Sequence, residues 1–112
     1  MEIIEKTSGS ITIVFLKGCL STAEAPEVES RLLQMFQEGK KYMILEFSEV
    51  TYLASAGMRV LLTLAKRVKG LEGRLMLTSL LPTVHEVLSI TGFLPYVEIY
   101  ETVEKADEAM KA

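Results

Sequence analysis

The sequence predicts an α/β protein with a mainly parallel sheet, an antiparallel strand at one edge and about four helices. Three observations carry this. Apolar, β-branched runs of strand length alternate with amphipathic runs at helical spacing, in the order β-β-α-β-α-β-α-β-α. The first two strands are close enough for a tight hairpin. Every later pair is separated by a helix-length segment, the connection that parallel strands need. The chain has 112 residues, 49% of them apolar, and no polar or low-complexity tract, which suits one domain spanning 1–112 with a single core.

Taken in order, residues 2–7 read as a strand, Gly9-Ser10 as a turn, and Ile11 to Leu16 as a strongly β-branched second strand. A loop at Gly18-Cys19-Leu20 leads to the first helix. Ser21 with Glu24 fits a capping box, while Pro26 places the regular start near Ala25. Val28, Leu32, Met35 and Phe36 recur at helical spacing, and Gly39 ends the run. Tyr42 to Phe47 suits a strand covered on both faces, and Ser48 to Tyr52 reads as a connection. The next helix places Met58, Leu61, Leu62, Ala65 and Val68 on one apolar stripe, with Gly70 and Gly73 bounding its end. Arg74 to Thr78 is a fourth strand. Pro82 opens a helix with Val84, Val87, Leu88 and Thr91 on one face and Gly92 beyond its end. Val97 to Tyr100 is a last strand, and Thr102 caps a final helix through Val103, Ala106 and Met110.

Composition narrows the function. A net charge of −3 argues against nucleic acid as a direct partner, because phosphate backbones demand a basic surface. Lys66, Arg67 and Lys69, with Arg59 two turns earlier, read as a solvated helix face. Cys19 is the single cysteine, so no internal disulfide and no cysteine-based metal set is available. The amino-terminal segment does not read as a signal peptide, no apolar run reaches membrane-spanning length, and a cytoplasmic location is the expectation. His85, the one histidine, lies beside Glu86 in a helix without visible partners. Neither a glycine-rich phosphate loop nor a Gly-x-Ser-x-Gly elbow is present.

One segment stands out. Leu53-Ala54-Ser55-Ala56-Gly57-Met58 joins a strand to a helix and puts Ser55 in the helix's first turn, beside small residues that leave the backbone open. A helix N-terminus presents unpaired N–H groups and a partial positive charge, so it holds anions. A serine there is either a plain N-cap or a modification or binding site, and spacing alone leaves both open.

These residues resemble a known family. Gly18-Cys19-Leu20-Ser21 is similar to the Gly-x-Leu-Asp turn of the anti-sigma factor antagonists, the small bacterial form of the STAS domain. Ile44 to Val50 resembles the family's central strand and its exit. Leu53 to Met58 resembles its phosphorylation loop, and Val87-Leu88 with Thr91-Gly92-Phe93 resembles its late Leu-x-x-Thr-Gly-Leu helix end.

The resemblance implies a STAS-like mixed sheet and a regulatory protein that is not an enzyme and needs no cofactor. It implies that the unphosphorylated chain binds an anti-sigma factor, often itself a serine kinase, and so releases a sigma factor. Phosphorylation of Ser55, the one hydroxyl in the matching loop, ends the complex, and a serine phosphatase acting on phospho-Ser55 restores it. The partner-binding corner is expected at Ser21, Thr22, Ala54, Ser55, Ala56, Gly57, Met58 and Arg59. Two positions depart from the family pattern: Ala54 and Ser21 stand where acids are usual. The same fold also serves as a subunit of larger stress-sensing or lipid-transport assemblies, a role that needs no phospho-switch.

Overall fold

The computed structural model describes residues 1–92 and 94–111. Its elements run β1 (Glu2–Ser8), β2 (Ile11–Leu20), α1 (Ala25–Gln37), β3 (Tyr42–Leu53), α2 (Ser55–Gly70), β4 (Arg74–Thr78), α3 (Pro82–Ile90), a 3-10 turn (Leu94–Tyr96), β5 (Glu98–Tyr100) and α4 (Val103–Lys111). The five strands form one sheet in the order β1-β2-β3-β4-β5. The β1–β2 pair is antiparallel and the other three pairs are parallel. The expected mixed sheet with an antiparallel edge is therefore present.

Each crossover steps one strand further in the same direction. Because such connections share one hand, their helices fall on one face of the sheet. Residues of α1, α2 and α3 accordingly join Val14, Leu16, Met43, Leu45, Phe47, Leu75 and Leu77 in one core. α4 follows the last strand and crosses nothing. It lies on the other face, where Ala106 packs with Ile11, Ile44 and Met76.

Three expectations need correction. First, β2 runs on through Gly18–Leu20, where a loop is expected, and β3 runs to Leu53 through Ser48–Tyr52, where a connection is expected. The register between them shifts after Phe15 and again after Gly18, each time with one additional residue on β3. Two bulges result. On the face that joins the helices of the main core, the β3 residues are two apart from Met43 to Phe47 and then three apart, at Phe47, Val50 and Leu53. A period of two is the signature by which a half-buried strand is read, and the bulges erase it.

Second, the Ser21–Glu24 capping box does not form. Glu24 is the N-cap residue of α1 and no side chain caps that helix. The Ser21 carbonyl instead accepts the N–H groups of Glu24 and Ala25 at 3.2 and 3.0 Å in a tight turn. The regular helix starts at Ala25, as Pro26 required.

Third, the apolar stripe of α2 is rotated. Val60 and Leu64 are buried with Leu61, Ala65 and Val68, whereas Met58 and Leu62 are half-buried at its margin. The Thr102 cap of α4 is present, with its hydroxyl accepting the Lys105 N–H at 3.1 Å.

The ends of α1 and α2 show one motif built from different residues. After α1, Lys40 N–H returns to the Met35 carbonyl and Gly39 N–H to that of Phe36, with Gly39 at φ +89°. After α2, Gly73 N–H returns to the Val68 carbonyl and Glu72 N–H to that of Lys69, so the left-handed position belongs to Glu72, at φ +61°. A residue with a Cβ is strained there by about 1–2 kcal/mol, and glycine regains part of this after its own entropy cost. Glu72→Gly is expected to raise the unfolding free energy by about 0.5–1 kcal/mol. Urea titration checks this, and an unchanged or lower midpoint would show that the turn is not strained.

Candidate docking corner at the carboxyl ends of the central strands

Leu20 and Leu53 are the last paired residues of β2 and β3. The chain continues from them as the Ser21 turn and as Ala54-Ser55. A hydrogen bond from Ala54 N–H to the Leu20 carbonyl, 3.0 Å long, holds the two exits side by side. Parallel strands thus bring together segments more than thirty positions apart in sequence. Ser21 is half-buried and Thr22 is exposed on one side; Ala54 and Ala56 are half-buried and Ser55 is exposed on the other.

Gly57 makes the close approach possible. A Cβ built on it would stand 2.7 Å from Leu20 Cγ, 3.0 Å from the Leu20 carbonyl oxygen and 3.0 Å from Leu53 Cδ1. The first turn of α2 therefore rests directly on the ends of both strands.

Ser55 is not the N-cap. Ala54 holds that position with extended backbone, φ −84° and ψ 165°, and no side chain caps the helix. The Ala54 carbonyl accepts the Met58 N–H at 3.0 Å, so the first intrahelical bond closes above it. The amides of Ser55, Ala56 and Gly57 precede this bond and have no partner within the helix. The first turn carries no acid to answer the positive helix end, while Arg67 and Lys69 complement the other end. An exposed hydroxyl thus sits on an uncapped, acid-free helix N-terminus.

The margins of the corner are also defined. Arg59, one turn beyond Ser55, is exposed and takes part in no ion pair among the described residues. Met58 is half-buried, and the Thr91 hydroxyl lies 3.5 Å from its sulfur. The same hydroxyl reaches the Val87 carbonyl at 3.0 Å, so Thr91 closes its own helix while touching α2. Phe93 of the Thr91-Gly92-Phe93 segment lies outside the described residues. Tyr52, next to the corner on β3, is 56% exposed and pairs in register with exposed Cys19. In the sequence Tyr52 falls in a segment that reads as a connection, and its one signal is an aromatic residue two before a small-residue loop.

His85 does not belong to this corner. It lines a separate hollow of about 290 Å³ with Ser79, Ile99, Tyr100 and Glu101. Among the described residues no group of three or more His, Cys, Asp or Glu is arranged to hold a metal ion. No helix among them is long and apolar enough to cross a membrane.

The STAS domain family model matches residues 2–106. The chain belongs to the STAS domain family. Within that family it is 33% identical over 108 residues to BtrV of Bordetella bronchiseptica, which is named as an anti-sigma factor antagonist, with 96% of this chain and 92% of BtrV covered. This STAS fold matches the crystal structure of a Thermotoga maritima protein, described in the same terms, at a TM-score of 0.95 and 22% identity, covering 98% and 95% of the two chains. It matches the Bacillus cell fate determinant SpoIIAA in its phosphorylated form at a TM-score of 0.74 and 18% identity, covering 96% and 98%.

Proposed function

We propose that this chain is an anti-sigma factor antagonist, with its partner docking on the corner formed by Ser21, Thr22 and Ala54 to Arg59 and leaving when Ser55 is phosphorylated. The observation that carries the reading is the position of Ser55: an exposed hydroxyl on an uncapped helix end with free amides and no acid. The naming of BtrV as an anti-sigma factor antagonist supports the activity. The existence of SpoIIAA in a phosphorylated form supports a covalent switch on this fold.

The chemistry follows from the geometry. A kinase reaches Ser55 Oγ without unfolding anything. The resulting phosphate adds nearly two negative charges and three acceptor oxygens. Nearby amides and the helix dipole stabilise that charge, so the fold tolerates it. A docked surface built against a neutral serine does not, because desolvating an unmatched dianion costs several kcal/mol. The switch therefore acts on the complex and not on the domain. Tyr52, exposed beside the corner, supplies a large, partly apolar contact of the type that anchors interfaces.

The test is calorimetric titration of the purified kinase-type anti-sigma factor with four forms of the chain: unmodified, phosphorylated, Ser55→Ala and Ser55→Asp. Binding by the unmodified and alanine forms, and its loss in the other two, is the expected pattern. Equal binding by Ser55→Asp would sink the switch. That result, with no phosphate on Ser55 in cells, would favour a constitutive subunit of a larger assembly, which the absence of acids at Ala54 and Ser21 makes the second reading.

Position 54 offers a separate check on the corner. Ala54 has N-cap backbone and no capping group. An aspartate there can accept the amide of Ala56 or Gly57, and such caps are worth about 1 kcal/mol over alanine. Ala54→Asp is expected to raise the thermal midpoint by a few degrees. A fall in midpoint would mean that the amides of the first turn are not free.

A further inference from the structure

The second helix carries a charge of one sign that extends well beyond the corner. α2 holds Arg59, Lys66, Arg67 and Lys69 and no acid, in a chain whose net charge is −3. At about 100° per residue, Ser55, Arg59, Thr63, Lys66 and Gly70 fall on one stripe. All five are exposed. The stripe runs about 22 Å from the corner to the far end of the helix. There it meets a groove of about 390 Å³ between α1 and α2.

Leu33, Phe36 and Leu71 give the groove an apolar floor, Lys66 and Arg67 form its rim, and no acid lines it. Leu71 is 40% exposed. The nearest acids in sequence, Glu38 and Glu72, lie outside the lining, and Glu38 is held by Lys40 at 3.1 Å. Among the described residues neither Lys66 nor Arg67 takes part in an ion pair. The helix dipole explains cations in the last turn. It does not explain apolar side chains left open between them.

We infer that this groove is a second contact for the protein that docks at the Ser55 corner, and that it takes an acidic segment of that protein bearing one apolar anchor. This rests on the reading of the corner proposed above. The chemistry of the occupant follows from complementarity: an apolar side chain suits the leucine and phenylalanine floor, and carboxylates suit two unpaired cations. The distance suits it as well. An ordinary interface covers about 800 Å² on each partner, a patch roughly 30 Å across, so one partner spans the corner and the groove together. The exposed stripe between them places Arg59 and Lys66 along the same contact, where they steer an acidic surface toward docking.

The test uses the full chain with p-benzoylphenylalanine in place of Arg59 or, separately, of Leu71. Both positions are exposed. Photocrosslinking in cells followed by mass spectrometry is expected to give the same anti-sigma factor from both. With that protein purified, the double variant Lys66→Glu/Arg67→Glu is expected to associate at least tenfold more slowly at low salt, with the difference shrinking as salt screens it. Capture from position 59 but not 71, or association within twofold of the unmodified chain, would overturn the groove and leave the corner standing. Capture of no anti-sigma factor from either position would remove the corner reading and the groove with it.

Discussion

Replacing Gly57 with alanine is expected to lower the unfolding free energy by about 1–3 kcal/mol, the range for overpacking a well-filled site. Two effects compete. Alanine is the better helix former by about 0.5–1 kcal/mol, which alone would stabilise α2. Against this, the added methyl would stand 2.7 Å from Leu20 Cγ and 3.0 Å from the Leu20 carbonyl oxygen. Real Cβ atoms essentially never make the first contact and rarely make the second, so something must move. The carbonyl cannot yield cheaply, since it accepts the Ala54 N–H at 3.0 Å, and the Leu20 side chain is fully buried. The clash therefore outweighs the propensity, and α2 tips away from the strand ends. Urea unfolding of the variant measures the cost. Amide spectra report the tilt as shifts concentrated at Ser21, Ala54 and Ser55. A variant as stable as the parent, with an unchanged spectrum at those residues, would show that the helix does not bear on the strands.

Phosphorylation of Ser55 is expected to weaken binding to the anti-sigma factor at least a hundredfold, about 2.7 kcal/mol, while shifting the stability of the domain by less than about 1 kcal/mol. The asymmetry is the informative part. At an exposed helix N-terminus a phosphate gains modestly from the dipole and the open amides. In a docked interface the same dianion must lose its water or be met by cations that the unmodified complex did not need. Calorimetry gives the affinity and thermal unfolding gives the stability, on the same preparations. A modified domain destabilised by several kcal/mol would mean that binding fails because the corner unfolds.

Much of the fold was legible because local periodicity and global packing agree. α1 and α2 each have a buried stripe, and the hairpin and crossovers follow from separation along the chain. The reading failed where tertiary pairing overrode local pattern. Ser48 to Tyr52 lost its alternation to two bulges that only the partner strand reveals. The left-handed residue after α2 is Glu72, a type that carries no turn signal, whereas Gly73, which carries one, follows it. At the site, the sequence located Ser55 in a first turn but could not separate cap from first helical residue. One position decides that, and boundaries are set by where the first intrahelical bond closes.

By itself, the sequence determined the order of elements, the mixed sheet, and the presence of one serine among small residues at a helix start. These depend on composition and spacing within some ten to twenty neighbouring residues. Only the tertiary structure decided that Ser55 stands beside the Ser21 turn, that Ala54 leaves the helix uncapped, and that the cations of α2 rim an open apolar groove shared with α1. The physical reason is that parallel pairing of Leu20 with Leu53 joins segments distant in sequence. Exposure and neighbourhood are properties of that pairing and of helix packing, and neither segment carries them alone.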